Sequence, residues 1–129
     1  MKKFYLIDDD SIFVFLTKKT LQVANIDTDI TVFEDGKQAL SNLKAYYDRP
    51  ELLPDVIFLD LNMPVLDGWG FLDEYLLLEP KLNKKISIYI VSSSISPSEL
   101  DRSREIPVVT DFLTKPLSRA KFTEVFSVA

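Results

Sequence analysis

The chain has 129 residues, a net charge of −5, 47% hydrophobic and 27% charged residues, which is the length of one domain with a globular balance and room for a core. It contains no cysteine and no histidine, which excludes disulfides, thiolate or histidine-ligated zinc, a cysteine nucleophile, a Ser-His-Asp triad and a phosphohistidine on this chain. An acidic surface repels nucleic-acid phosphates, no apolar run is long enough to span a bilayer, and Phe4–Ile7 is too short for a signal core, so a cytoplasmic protein without direct nucleic-acid or membrane partners is expected.

In chain order, Lys3–Ile7 reads as a short buried strand ending at Asp8. Ser11–Ala24 reads as a helix with Phe13, Leu16, Thr20 or Leu21, and Ala24 inward. Asp29–Phe33 reads as a strand, and Asp35–Tyr46 as a helix with Ala39, Leu40 and Leu43 inward. Two prolines mark Asp48–Pro54 as a loop. Val56–Leu59 is a wholly apolar strand ending on Asp60; the loop Asn62–Gly68 and a helix over Trp69–Leu78 follow. Ile86–Val91 is a fourth strand, Ser92–Pro97 a serine-rich loop, Ser98–Arg104 a short helix, Val108–Leu113 a fifth strand and Ser118–Phe126 a closing helix. This alternation predicts an α/β, doubly wound, five-stranded parallel sheet with helices on both faces and right-handed crossovers.

Ligands of such sheets sit beyond the carboxyl ends of the strands. The first strand ends in Asp8-Asp9-Asp10, the third in Asp60, the fourth in Ser92, and the fifth leads to Lys115. Crowded carboxylates repel one another, and hard oxygen ligands at this charge density suit magnesium. Singly, each residue also has a plain structural reading. Asp10 caps the first helix, Asp60 caps a turn, the serines fill a loop, and Lys115 is a solvated lysine before a proline. The fold bringing all of them to one edge argues for a site.

These segments resemble the receiver domains of bacterial response regulators, the fold of the chemotaxis protein CheY. Leu6-Ile7-Asp8-Asp9-Asp10 is similar to that family's acidic opening. Val56-Ile57-Phe58-Leu59-Asp60-Leu61-Asn62-Met63-Pro64, with Asp67-Gly68, resembles its phosphoacceptor strand and loop. Ile90-Val91-Ser92-Ser93 resembles its hydroxyl-bearing strand, and Asp111-Phe112-Leu113-Thr114-Lys115-Pro116 its aromatic and Lys-Pro segment. The resemblance runs from Phe4 to about Phe126. It implies the flavodoxin-like strand order 2-1-3-4-5 and one receiver domain over residues 1–129.

The resemblance further implies that Asp60 is the nucleophile that becomes an aspartyl phosphate, in a phosphoacceptor rather than a turnover enzyme. Asp9, Asp60 and the Asn62 carbonyl would bind Mg2+, with Asp8 sharing the ion or holding it through water. Lys115 would pair with Asp60 at rest and with the phosphoryl oxygen afterwards. Ser92 would donate to the phosphoryl group and Phe112 would turn into the space Ser92 leaves. Asn62 and Ser94 would flank the attacking water, and Lys115–Pro116 would be cis. Serine in place of threonine at position 92, and a phenylalanine without a phenol at 112, depart from the common pattern and put the sharpness of the switch in question. The expected partners are a sensor histidine kinase or histidine phosphotransfer protein and a downstream protein target, since no output domain is expected after the receiver. A haloacid-dehalogenase phosphatase needs an acid/base aspartate two residues past its nucleophile, and Asn62 stands there instead. A degenerate interaction-only receiver is countered by the complete residue set. Only Gly36, Gly68 and Gly70 are present, so no glycine-rich phosphate loop supports a nucleotide- or flavin-binding reading. Finally, Ile12–Leu16 is an unbroken apolar run covering more than one turn of about 3.6 residues, so part of it must face solvent beside the acidic cluster, where a phosphohistidine donor would dock; by analogy with the family Phe13 and Leu16 are the expected contacts, unless either belongs to the core.

Overall fold

The computed structural model describes residues 1–94 and 96–128. Its strands are β1 (Lys2–Ile7), β2 (Thr28–Phe33), β3 (Val56–Leu59), β4 (Ser87–Ser92) and β5 (Val109–Thr114). Its helices are α1 (Ser11–Val23), α2 (Gly36–Ala45), α3 (Gly68–Leu78), α4 (Pro97–Arg104) and α5 (Arg119–Val128). A single 3-10 turn, Glu79–Lys81, extends α3; the sequence reading did not anticipate it. All strand pairs are parallel, in the order β2-β1-β3-β4-β5, as expected. The serine-rich loop expected at 92–97 includes Ile95, which lies outside the described residues.

Alternation along the strands divides the core into two layers. Tyr5, Ile7, Ile57, Leu59, Ile88 and Ile90 face one side with Ala39, Leu40, Leu43, Phe71, Leu72 and Tyr75 of α2 and α3. Phe4, Leu6, Val56, Phe58, Tyr89 and Val91 face the other, against Phe13 and Leu21 of α1 and Phe122, Val125 and Phe126 of α5. Phe58 sits at the middle of that layer, edge-on to Phe4 at 4.9 Å and to Tyr89 at 5.8 Å. Truncating such a fully buried ring costs about 3–5 kcal/mol.

Helix starts follow from short polar side chains that satisfy free amides. Asp10 accepts from Ile12 N and Phe13 N, Asp35 from Gln38 N, Asp67 from Gly70 N, and Ser96 from Glu99 N. Asp35 is therefore the cap of α2 rather than its first residue. Of the expected inward residues Phe13, Leu16, Thr20 or Leu21, and Ala24, Phe13 and Leu21 are buried; Leu16 is exposed, Ala24 is half-buried, and the buried residue between Phe13 and Leu21 is Thr17. The positions i, i+4 and i+8 share one stripe, and with the cap fixing the phase Leu16 falls outside it.

Candidate functional site

Four strands deliver the site from their carboxyl ends. Asp8 follows β1, its amide held by the Phe33 carbonyl at 2.9 Å, and Asp60 follows β3, its amide held by the Ile7 carbonyl at 2.9 Å. The end of β5 is tied to that of β4 by Lys115 N donating to the Ser92 carbonyl at 2.8 Å, and the Lys115–Pro116 bond is cis, as expected. Gly68 closes the floor: a Cβ there would stand 2.6 Å from the Asp60 carbonyl oxygen. The backbone of α3 can approach the site this closely only without a side chain.

Asp8, Asp9 and Asp60 each offer a carboxylate oxygen, and these oxygens lie within 4.8 Å of one another. Asp8 and Asp60 are buried and Asp9 is exposed. The Asp8 Oδ1 atom accepts from Asp10 N at 2.9 Å. Its Oδ2 is ion-paired with Lys115 Nζ at 2.8 Å. Burial raises the Asp8 carboxyl above its ordinary value against the pull of Lys115 and the Asp10 amide. Burial first, and the Asp8 charge second, push Asp60 up to about 6, against Lys115 and the Asn62 backbone amide. Two adjacent carboxylates out of water disfavour each other's charge, and a cation would relieve both.

The expected Asp60–Lys115 pairing is corrected. The Lys115 ammonium pairs with Asp8 at 2.8 Å and stands 3.9 Å from Asp10, and no pair with Asp60 is formed among the described residues. The buried Asp8 is the better-placed of two competing carboxylates, and strand order alone does not reveal that choice. Asp10, the cap of α1, thus also faces the lysine. A further neighbour that the sequence reading assigned only to core or docking is Phe13, whose ring centroid lies 4.5 Å from Lys115 Nζ. Ser92 is buried; its hydroxyl donates to the Ser94 carbonyl at 3.0 Å and is turned into its own loop. Phe112 is half-buried against the layer of α2 and α3, and Asn62 is exposed at the rim.

Acidic residues at the ends of the first and third strands of a 2-1-3-4-5 sheet, with a lysine after the fifth, define a receiver. The family profile of the response regulator receiver domain matches residues 4–127, and the chain belongs to that family. Response regulator Rcp1 of Synechocystis is 30% identical over 117 residues, covering 88% of this chain and 76% of Rcp1. The crystal structure of the Mn2+-bound form of Rcp1 superposes with a TM-score of 0.76 at 27% identity, covering 99% of this chain and 91% of that one. The phosphorylated cyanobacterial phytochrome response regulator RcpA gives 0.77 at 26% identity, covering 98% and 89%. A two-component response regulator from Cytophaga hutchinsonii shares the fold at 0.86 and 24% identity, covering 98% and 94%. The chain is a phosphoacceptor domain of two-component signalling.

Proposed function

We propose that Asp60 is the phosphoacceptor, taking its phosphoryl group from the phosphohistidine of a sensor kinase or histidine phosphotransfer protein in the cytoplasm. The observation that carries this is the cluster itself: Asp8, Asp9 and Asp60 converge within 4.8 Å, with the Lys115 ammonium 2.8 Å from Asp8. An Asp60 carboxylate oxygen attacks phosphorus as the donor's P–N bond breaks and the electron pair returns to the imidazole. The Lys115 ammonium then turns from Asp8 to the phosphoryl oxygen, and the Ser92 hydroxyl leaves Ser94 to donate to another. Phe112 follows into the space that Ser92 vacates. Turnover of small phosphate esters is not part of this role.

The residues present fit a hard divalent cation, Mg2+ by preference: the donors are all oxygen, and three carboxylates crowd within 4.8 Å of one another with two of them buried. Asp9, Asp60 and the Asn62 carbonyl would hold it, with Asp8 shared or bridged by water. Such an ion offsets charge on the transferring oxygens.

Incubation with acetyl phosphate and Mg2+ should add one acid- and base-labile phosphoryl group, and mass mapping should place it on Asp60. Asp60→Asn should take none. Equal labelling of that variant would overturn the assignment.

A further inference from the structure

We propose that Phe13 is a positioning residue for Lys115, its ring face holding the ammonium where a phosphoryl oxygen arrives; this rests on the reading of Asp60 and Lys115 above. The Lys115 side chain is only 10% exposed. Among the described residues its Nζ meets three groups: Asp8 Oδ2 at 2.8 Å, Asp10 Oδ2 at 3.9 Å and the Phe13 ring centroid at 4.5 Å. Both carboxylates have other duties. Asp10 caps α1 through the Ile12 and Phe13 amides, and Asp8 belongs to the oxygen cluster with Asp9 and Asp60. Once a cation draws on the Asp8 charge, the hold of Asp8 on the ammonium weakens. The ring keeps its hold, because the negative face of an aromatic ring attracts an ammonium without carrying a charge that the cation can claim. It also leaves N–H donors free to turn to the phosphoryl oxygen.

The ring itself has little freedom. Phe13 is 6% exposed, packed with the α1 and α5 layer. Its amide is held by Asp10 Oδ1 at 3.2 Å. The cap therefore sets the phase of α1, the phase turns Phe13 inward, and the ring meets the lysine. A cavity of about 220 Å3 between α1 and the Pro116–Leu117 segment is lined in part by Phe13, Thr17 and Phe122, leaving room for a larger ring.

The test replaces Phe13 by 4-fluoro-, 3,5-difluoro- and 3,4,5-trifluorophenylalanine, which weaken the ring face stepwise at nearly constant size, and by Leu and Trp. The acetyl phosphate labelling rate should fall stepwise, reaching about threefold to tenfold slower for the trifluoro ring and for Phe13→Leu, the range expected for a largely desolvated cation–π contact. The Mg2+ midpoint of thermal stabilisation should not move, and Phe13→Trp, whose ring face attracts an ammonium more strongly, should label at least as fast as the parent. In the metal-free protein the Lys115 ε-methylene protons should resonate upfield by ring current, and Phe13→Leu should abolish that shift. A labelling rate flat across the fluorinated series, or ε-methylene protons at their ordinary position in the parent, would overturn the proposal. If the parent takes no phosphoryl group, the phosphoacceptor reading fails, and the contact between ring and lysine still stands or falls on the ε-methylene signal.

Discussion

Asp60 is held in a state that works against its own charge. Burial and the Asp8 carboxylate raise its pKa from 3.8 to about 6. The folded state therefore binds a proton more tightly than the unfolded chain, and this contribution to stability is fully present below pH 3.8 and lost as pH rises through 6. At neutral pH without metal the charged carboxylate is a cost. Asp60→Asn should raise the metal-free melting temperature by several degrees at pH 7.5, on the order of 2 kcal/mol, and by less at pH 5. Calorimetry at both pH values checks this; an equal gain at pH 5 and pH 7.5 would contradict the cause given. A second residue carries strain in the backbone. Val65 has a φ of 67° and sits exposed at the apex of a tight turn that Leu66 N closes onto the Pro64 carbonyl at 2.8 Å. A β-branched residue pays heavily for this left-handed conformation, whereas asparagine tolerates it. Val65→Asn should stabilise the domain by about 1 kcal/mol in urea unfolding, and a destabilised variant would show that the turn is not strained.

At the scale of elements, α1 shows where sequence pattern runs out. Five successive apolar residues carry no helical phase, so the sequence could state that some of them must be exposed but not which. The structure selects Phe13 as core and leaves Ile12 71%, Phe15 65% and Leu16 47% exposed. Phe13 is thereby removed from the expected docking contacts and Leu16 is kept. Contiguous apolar exposure marks interaction sites more often than scattered exposure does, and this patch begins beside Asp9 and Asp10. We take this patch as the docking face for the phosphohistidine donor proposed for Asp60. Ile12→Ser should leave labelling by acetyl phosphate unchanged, since the small donor needs no docking. Transfer from the cognate phosphohistidine protein should slow at least about tenfold, the loss of roughly 1.4 kcal/mol of contact. Unchanged rates with both donors would show that α1 is not the docking face.

Four of the five strands were legible together with the site because each leads to a polar or charged residue at the same sheet edge: Asp8 after β1, Asp60 after β3, Ser92 at the end of β4 and Lys115 after β5; β2, Thr28–Phe33, carries no such marker and was legible from its pattern alone. The partner of Lys115 was not legible, because Asp8, Asp10 and Asp60 share one rim and ångström-scale distances decide among them. The same crowding sets a property of the whole molecule. Without a cation the fold confines three carboxylates that repel one another, while the unfolded chain separates them. Any ion that binds only the folded site must therefore raise stability by mass action, by about 2.7 kcal/mol at a hundred times its dissociation constant. Two neighbouring substitutions separate metal binding from structure. Asp9 offers an exposed oxygen to the cluster, whereas Asp10 caps α1 with bonds to Ile12 N and Phe13 N. Asp9→Ala should leave the metal-free melting temperature equal or higher, because it relieves repulsion, and should remove most of its rise with Mg2+. Asp10→Ala should lower the metal-free value through the lost cap, by about 1 kcal/mol, and keep the rise. Melting curves of the parent and both variants across a Mg2+ series give all of these values. If Asp9→Ala still climbs with Mg2+ as the parent does, Asp9 is not a ligand.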